Sequence, residues 1–244
     1  MLAIIGGSGL AQFEGLAHVR QKTVHTRYGD TSAALRFGRI GSAEVVFLAR
    51  HGEGHTIAPH QVNYRANIWA LKEQGVREIV AVATVGGIRK EFGPGALVVP
   101  DQIIDYTWGR PSTFFEGAGA KVTHIDFTQP YSTPLRARIL DAARACGEAI
   151  APRGVYAATQ GPRLESAAEI DRLERDGADL VGMTGMPETA LAREAGLEYA
   201  AIAVVVNHAA GRGESARGIS LERLEAVLAQ AMTRVRRILV QLCQ

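Results

Sequence analysis

The run Ile79-Val80-Ala81-Val82-Ala83-Thr84 is the stretch that decides the fold class of this 244-residue chain. A strand with one face in water alternates apolar and polar residues, whereas this run is apolar on both faces. We therefore predict a strand at the centre of a sheet, with helices covering both of its faces. Residues 199–206 have the same pattern and predict a second buried strand.

Outward from this run, short β-branched segments alternate with helical patterns, which is typical of an α/β protein. The predicted strands span residues 2–5, 45–49, 79–84, 97–99, 155–158 and 199–206. The predicted helices span residues 63–74, 134–146, 164–175, 187–195 and 221–242, and the apolar stripe of the last one is expected to pack on the sheet. No repeat or linker divides the chain, so we expect one domain over residues 1–244, with loops 107–123 and 209–218 as candidate lids.

The composition is that of an ordinary globular protein, with 47% hydrophobic and 21% charged residues. A net charge of only +2 argues against partners such as nucleic acid or an anionic membrane. The apolar start at residues 2–5 meets Gly6 and Gly7 too early for a secretory signal, and two cysteines cannot form a disulfide framework. No apolar run reaches the roughly 20 residues of a membrane helix, so we expect a cytoplasmic protein.

Small hydroxyls, glycines and one arginine follow several predicted strands. Gly6-Gly7-Ser8-Gly9 follows the first strand, Arg50-His51-Gly52 follows the second, and Thr84 leads into Gly86-Gly87. Glycines let backbone N–H groups approach an anion, and an arginine fork matches phosphate oxygens. Singly, these motifs are also compatible with a tight turn or a surface ion pair. Together they predict a phosphate site at the carboxyl edge of the sheet.

Two further motifs end in polar groups. Thr184 lies just ahead of a predicted helix, where free N–H groups favour an anion, although a threonine there also serves as a simple helix cap. Asn207 ends the strand 199–206, where an amide either caps the strand or faces a ligand.

The three histidines His51, His55 and His60 suggest a metal site, but their spacing is not HExxH. The intervening glycines argue against the helix that would direct two rings at one zinc ion. We expect no metal at these residues.

The order of the motifs resembles that of the purine nucleoside phosphorylase and methylthioadenosine phosphorylase family. The matching strings, between residues 4 and 196, are IIGGSG, FLARHG, VNYRANIWALKEQG, VGGI, QGPRLESAAEI and VGMTGMPETALAREAG. The resemblance implies a single α/β domain with a mixed, barrel-like sheet flanked by helices, usually assembled as a homotrimer or a dimer of trimers. It also implies phosphorolysis, in which phosphate attacks C1′ of a purine nucleoside as the base leaves. Inorganic phosphate is then a co-substrate, and no organic cofactor is expected.

Site roles follow from the resemblance by position. Phosphate would be held by Ser8, Arg50, His51, the backbone at Thr84, and Thr184. Met183 would contact the ribose, Glu165 and Asn207 would face the base, and His124 would reach the site of a neighbouring subunit. Asn207 and His51 are the expected catalytic residues.

Three positions address the choice of nucleoside. Asn207 can donate to a 6-oxo group while accepting from a protonated N7, and Glu165 can accept from the N1–H of a 6-oxopurine. Leu221 aligns with a histidine that binds the 5′-hydroxyl in inosine and guanosine enzymes, and with Leu224 it would form an apolar wall for a 5′-methylthio group. The expected substrate is therefore S-methyl-5′-thioinosine.

Two departures from the family concern the base. Leu164 stands where an aromatic residue usually packs on the purine, and Ala209 replaces a second aspartate of the adenine-specific members. The alternatives are a general inosine/guanosine phosphorylase, a methylthioadenosine phosphorylase, a hydrolytic nucleosidase and a non-catalytic purine sensor.

Overall fold

The structure, a computed structural model, describes residues 1–10, 13 and 15–244, except for the side chain of Leu221. The strands of the described residues are β1 Leu2–Gly6, β2 Ala17–Lys22, β3 His25–Thr26, β4 Gly29–Asp30, β5 Leu35–Ile40, β6 Ala43–Ala49, β7 Glu78–Gly87, β8 Leu97–Val98, β9 Gln102–Asp105, β10 Val155–Ala158, β11 Leu180–Gly182 and β12 Glu198–His208. The α-helices are α1 Tyr64–Glu73, α2 Thr133–Ala145, α3 Ala167–Arg175, α4 Gly185–Glu194 and α5 Leu221–Leu242. Two short 3₁₀ turns, Pro59–Gln61 and Gly213–Ser215, lie in connecting segments.

Ten of the strands form one mixed sheet with the order β2-β5-β6-β1-β7-β11-β10-β9, and β12 joins it through β7 and β8. The central strand β7 pairs in parallel with β1 and with β12. Its last residues pair antiparallel with β11. The expected α/β class, with a mixed sheet flanked by helices, is confirmed.

Alternate residues of β7 enter two different cores. Val80 and Val82 lie in the core that includes buried residues of α2 and α5. Ile79 and Ala81 lie in the core that includes buried residues of α1 and α4. Because both faces of β7 are covered, this strand carries no polar face, as the pattern at residues 79–84 predicts. The apolar stripe of α5 packs against this sheet, also as predicted.

One helix boundary differs from the prediction by three residues, and the others differ by two or fewer. The helix predicted at residues 164–175 begins at Ala167, because Ser166 and Glu169 form a capping box that fixes its first turn. Leu164 and Glu165 therefore lie in the loop ahead of α3.

Several strands are absent from the prediction, namely β2, β3, β4, β5, β9 and β11. Of the two candidate lids, residues 107–123 contain no helix or strand, and residues 209–218 contain one 3₁₀ turn. Within the described ranges, no helix is both long and apolar enough to cross a bilayer.

Candidate active site

A cavity of about 450 Å³ opens at the carboxyl edge of the central strands. Nine of the residues predicted from the sequence line it: Ser8, Arg50, His51, Thr84, Leu164, Glu165, Met183, Thr184 and Asn207. His124 lies in an exposed loop and is not among the lining residues. The backbone of Leu221 begins α5, but its side chain lies outside the described residues.

The topology of β7 explains why these residues meet. The strands β1, β6, β7 and β12 run parallel, so their carboxyl ends lie at one edge of the sheet. Pairing of β7 with β1 ends at Ala81, and pairing with β11 begins at Gly86. Between them one edge of β7 is free, and Arg50 Nη1 donates to the Val82 carbonyl there at 3.0 Å. Backbone groups alternate between the two edges of a strand, so Thr84 presents its N–H to this same edge.

Arg50 is held in place by a buried acid. Its Nε and Nη2 donate to the two carboxylate oxygens of Glu188 at 2.6 and 2.8 Å, and the Tyr199 hydroxyl also donates to Glu188, at 2.8 Å. Arg50 is 1% exposed and Glu188 is fully buried. Burial alone lowers the pKa of Arg50, but the Glu188 carboxylate outweighs this and the net pKa is raised. The guanidinium therefore stays charged and fixed in orientation.

Gly7 makes room for this arrangement. A Cβ at this position would lie 2.7 Å from the Val82 carbonyl oxygen and 3.0 Å from Arg50 Nη1. The loop after β1 can thus approach β7 closely only because residue 7 has no side chain.

His51 is a neutral ring beside this charge. Its Nδ1 lies 2.8 Å from the Ile57 carbonyl, which can only accept, so Nδ1 carries the proton and Nε2 offers a lone pair. Burial, and then the positive charge of Arg50, lower the pKa of His51 to about 4. The ring of His55 packs against it with centroids 4.5 Å apart, and the pKa of His55 is lowered by the same two causes. Among the described lining residues, Arg50 is therefore the one permanent cation.

Thr184 occupies the N-cap position of α4, but its side chain makes no capping hydrogen bond. Its hydroxyl is thus not used to cap the helix, and Thr184 lines the cavity. Beside it, Met183 packs against Gly161, where a Cβ would lie 2.4 Å from the Met183 sulfur. This contact brings the loop 159–165 against the part of the cavity wall that Met183 forms.

Two polar side chains, Glu165 and Asn207, define another end of the cavity. Glu165 Oε1 accepts from the Thr159 hydroxyl at 2.6 Å. Asn207 follows a register shift in β12 after Val205, and its Nδ2 donates to the His208 carbonyl at 2.6 Å. Leu164 also lines the cavity and is 45% exposed. This end offers carboxylate and amide acceptors beside one apolar side chain.

The remaining wall is mostly apolar and includes Ile57, Pro59, Ile219 and Leu224, with Thr56 and His55 beside Ile57. Of the four apolar residues, only Leu224 was singled out from the sequence. The cavity thus combines an end with a fixed cation, a polar end and an apolar end. Among the described residues, no group of three or more His, Cys, Asp or Glu side chains could hold a metal ion.

The role of Glu188 was not predicted, although the residue spacing of α4 indicates it. Glu188, Leu191, Ala192 and Ala195 share one helix face by their spacing, and all four are buried. An acid on an apolar helix face needs a cationic partner, and Arg50 is that partner.

The chain matches the phosphorylase superfamily over residues 1–244. It is 53% identical over 239 residues to a probable S-methyl-5′-thioinosine phosphorylase of Pseudomonas syringae pv. tomato, covering 98% of this chain and 96% of that one. It is 48% identical over 215 residues to the 6-oxopurine nucleoside phosphorylase of Pyrococcus furiosus, covering 86% and 80% of the two chains. A solved structure of methylthioadenosine phosphorylase from Schistosoma mansoni in complex with adenine superposes with a TM-score of 0.95 at 32% identity, covering 99% and 90% of the chains. The chain therefore belongs to the phosphorylase superfamily.

Proposed function

We propose that the protein catalyses the phosphorolysis of S-methyl-5′-thioinosine to hypoxanthine and 5-methylthioribose 1-phosphate. The observation that carries the proposal is that Asn207 and Glu165 line the same cavity as Ser8, Arg50 and Thr184, with an apolar wall beside them. The 53% identical Pseudomonas relative, which bears the corresponding name, supports the same substrate.

Phosphate would bind at the end formed by Ser8, Arg50, His51, Thr84 and Thr184. Because Arg50 is already paired with Glu188, a bound dianion keeps most of its negative charge. His51 Nε2 can accept a hydrogen bond from the protonated oxygen of hydrogen phosphate. The retained charge would stabilise the cationic sugar of the transition state, and the fixed donors would orient the attacking oxygen.

In the reaction, one phosphate oxygen bonds to C1′ while the bond between C1′ and N9 breaks. The electron pair of that bond leaves with the purine, which takes up a proton at N7 from water. Hydrogen phosphate gives up its proton to water as the sugar phosphate forms, so protons and charge balance. Asn207 would accept a hydrogen bond from this N7–H through its amide oxygen, and would donate to the 6-oxo group through Nδ2 in place of the His208 carbonyl. Glu165 has one oxygen engaged by Thr159, and the other would accept from N1–H.

Adenine has a lone pair at N1, so an ionised Glu165 facing it would remain unpaired, at a cost of ~1–3 kcal/mol. At the other end of the nucleoside, the wall of Ile57, Ile219 and Leu224 offers no polar partner for a 5′-hydroxyl. A methylthio group there would gain ~1 kcal/mol for each buried methyl. Both ends favour methylthioinosine over adenosine.

The test is phosphorolysis of methylthioinosine, methylthioadenosine, inosine and adenosine by the purified protein, each with and without phosphate. We expect methylthioinosine to be cleaved fastest, and only with phosphate. Equal cleavage of inosine would contradict the 5′ assignment, and preference for methylthioadenosine would contradict the base assignment. Cleavage without phosphate would indicate a nucleosidase, and no cleavage at all would indicate a binding protein.

Variants separate the two ends of the nucleoside. The double variant Asn207→Asp with Glu165→Ser is expected to gain activity on methylthioadenosine, and failure to gain any would count against the base contacts. Leu221→His is expected to raise activity on inosine relative to methylthioinosine. An unchanged ratio would count against the role of Leu221.

We also propose that the active form is a homotrimer in which His124 of one subunit completes the site of the next. The support is that His124 is exposed outside its own cavity, on a segment that also exposes Trp108, Phe115 and Val122. Light scattering would measure the mass. Mixing refolded His124→Ala and Thr184→Ala subunits should restore activity that neither variant has alone, whereas independent sites would show no restoration.

A further inference from the structure

Arg110 is a buried arginine to which the reaction assigns no role. It lies on the irregular segment 107–123, is 8% exposed, and does not line the cavity. Its guanidinium makes six hydrogen bonds, and none of these six is to a carboxylate. The Arg110 guanidinium thus contacts neutral acceptors through these hydrogen bonds. Its role in them is to hold the acceptor groups at fixed positions.

The two ends of the fork hold two different loops. Nη2 donates to the carbonyls of Thr159 and Gln160 at 3.2 and 2.8 Å, and Nε donates to the Gln160 side chain at 3.2 Å. Nη1 donates to the carbonyls of Met183 and Met186 at 2.8 and 2.6 Å. A planar guanidinium fixes the spacing between the two sets of carbonyls.

Each loop carries site residues. Thr159 donates to Glu165 in the first loop, and in the second loop the Met183 carbonyl belongs to the peptide that precedes Thr184. The ring of Tyr64 lies 5.6 Å from the Arg110 guanidinium carbon and packs beneath it. A shift of one loop against the other would change the distance between the groups at the base and those at the sugar and phosphate.

We propose that Arg110 is a positioning residue that sets this distance by clamping loop 159–160 to segment 183–186, which leads into α4. The inference rests on the proposed function, since the two loops matter as the base and sugar subsites of one nucleoside. Lysine cannot replace arginine here, because a single ammonium group cannot span both pairs of carbonyls.

The experiment compares Arg110→Ala and Arg110→Lys with Arg144→Ala, which removes an exposed charge paired with Asp141 on α2. Unfolding curves first identify the folded variants. In these we expect kcat/KM for methylthioinosine to fall on the order of 100-fold, as a misplaced reactant requires, and Arg144→Ala to match the wild type. Added guanidinium, but not urea or ammonium, should raise the activity of Arg110→Ala at concentrations that leave wild-type unfolding unchanged.

Wild-type kcat/KM in a folded Arg110→Lys protein would overturn the proposal, as would absence of guanidinium rescue in folded Arg110→Ala. If neither variant folds, the proposal is also overturned, because Arg110 would then serve the fold and not the site. A wild-type protein that cleaves no nucleoside would instead contradict the proposed function on which the inference rests, so the two failures are distinguishable.

Discussion

The ion pair between Arg50 and Glu188 joins residues 138 positions apart in the sequence. A buried ion pair adds little net stability compared with apolar residues of the same volume, because both charges lose their hydration. Its contribution here is orientation, since both carboxylate oxygens and the Tyr199 hydroxyl restrict the guanidinium. The strand-end pattern was enough to single out Arg50 from sequence. The identity of its partner depends on how α4 packs on the sheet, which no local pattern reports.

Replacing Glu188 by alanine is expected to cost about 3–5 kcal/mol of unfolding free energy, because Arg50 is left as an unpaired buried charge. Phosphate KM should also rise, since the guanidinium loses its fixed direction. Urea unfolding and initial rates at varied phosphate measure the two effects. Glu198→Ala removes an exposed carboxylate and should leave the unfolding free energy and the phosphate KM nearly unchanged. Equal losses of unfolding free energy in the two variants would contradict the assigned role of the buried pair.

The stability of the protein should depend on pH through His51. Its pKa is lowered from 6.5 to about 4 in the folded chain, so between these values the unfolded chain binds a proton that the folded chain does not. Stability is therefore full above pH 6.5 and falls as the pH drops to 4, by about 3 kcal/mol. The wild type should exceed His51→Gln in unfolding free energy, and this excess should decrease as the pH falls from 6.5 to 4. Exposed His60→Gln serves as the control, and a constant wild-type excess would refute the prediction.

At the scale of elements, predicted and observed structure agree best where burial is strongest. β1, β7, β10 and β12 were predicted because each contains an uninterrupted apolar run. β2 was not, because all six of its residues are exposed and polar types dominate. β11 is only three residues long, too short for a periodic pattern to emerge. Its pairing with β7 at Gly86 and Gly87 nevertheless bounds the free edge of β7 at the cavity.

The start of α3 offers a test at this scale. Ser166 accepts from the Glu169 N–H and caps the helix, whereas Ser220 holds the equivalent position before α5 without a side-chain cap bond. Ser166→Ala should therefore cost ~1 kcal/mol of stability and Ser220→Ala clearly less. Because Glu165 adjoins this cap, nucleoside KM should rise in Ser166→Ala while phosphate KM stays the same. Thermal unfolding and steady-state kinetics measure these effects. A larger loss of stability in Ser220→Ala than in Ser166→Ala would contradict the cap assignment.

At the scale of the whole molecule, the proposed phosphate end of the cavity draws on residues from Ser8 to Thr184. Phosphate should therefore stabilise the entire fold and not one segment of it. At 100 times its dissociation constant, a ligand of the native state adds about 2.7 kcal/mol. Urea unfolding in phosphate, compared with chloride of equal ionic strength, tests this. The effect should largely vanish in the double variant Ser8→Ala with Thr184→Ala, and a shift that persists there would locate the binding elsewhere.

The pairing of β12 along the whole of β7 also bears on how the chain is synthesised. A chain emerging from the ribosome holds Ser8 and Thr84 long before Asn207. Until β12 is made, the central strand β7 has one open edge. Such an edge, apolar and unpaired, is a binding site for chaperones and for other nascent chains. Catalytic activity in a translation reaction should therefore appear abruptly with nearly full-length product, and stalled shorter products should be chaperone-bound and inactive.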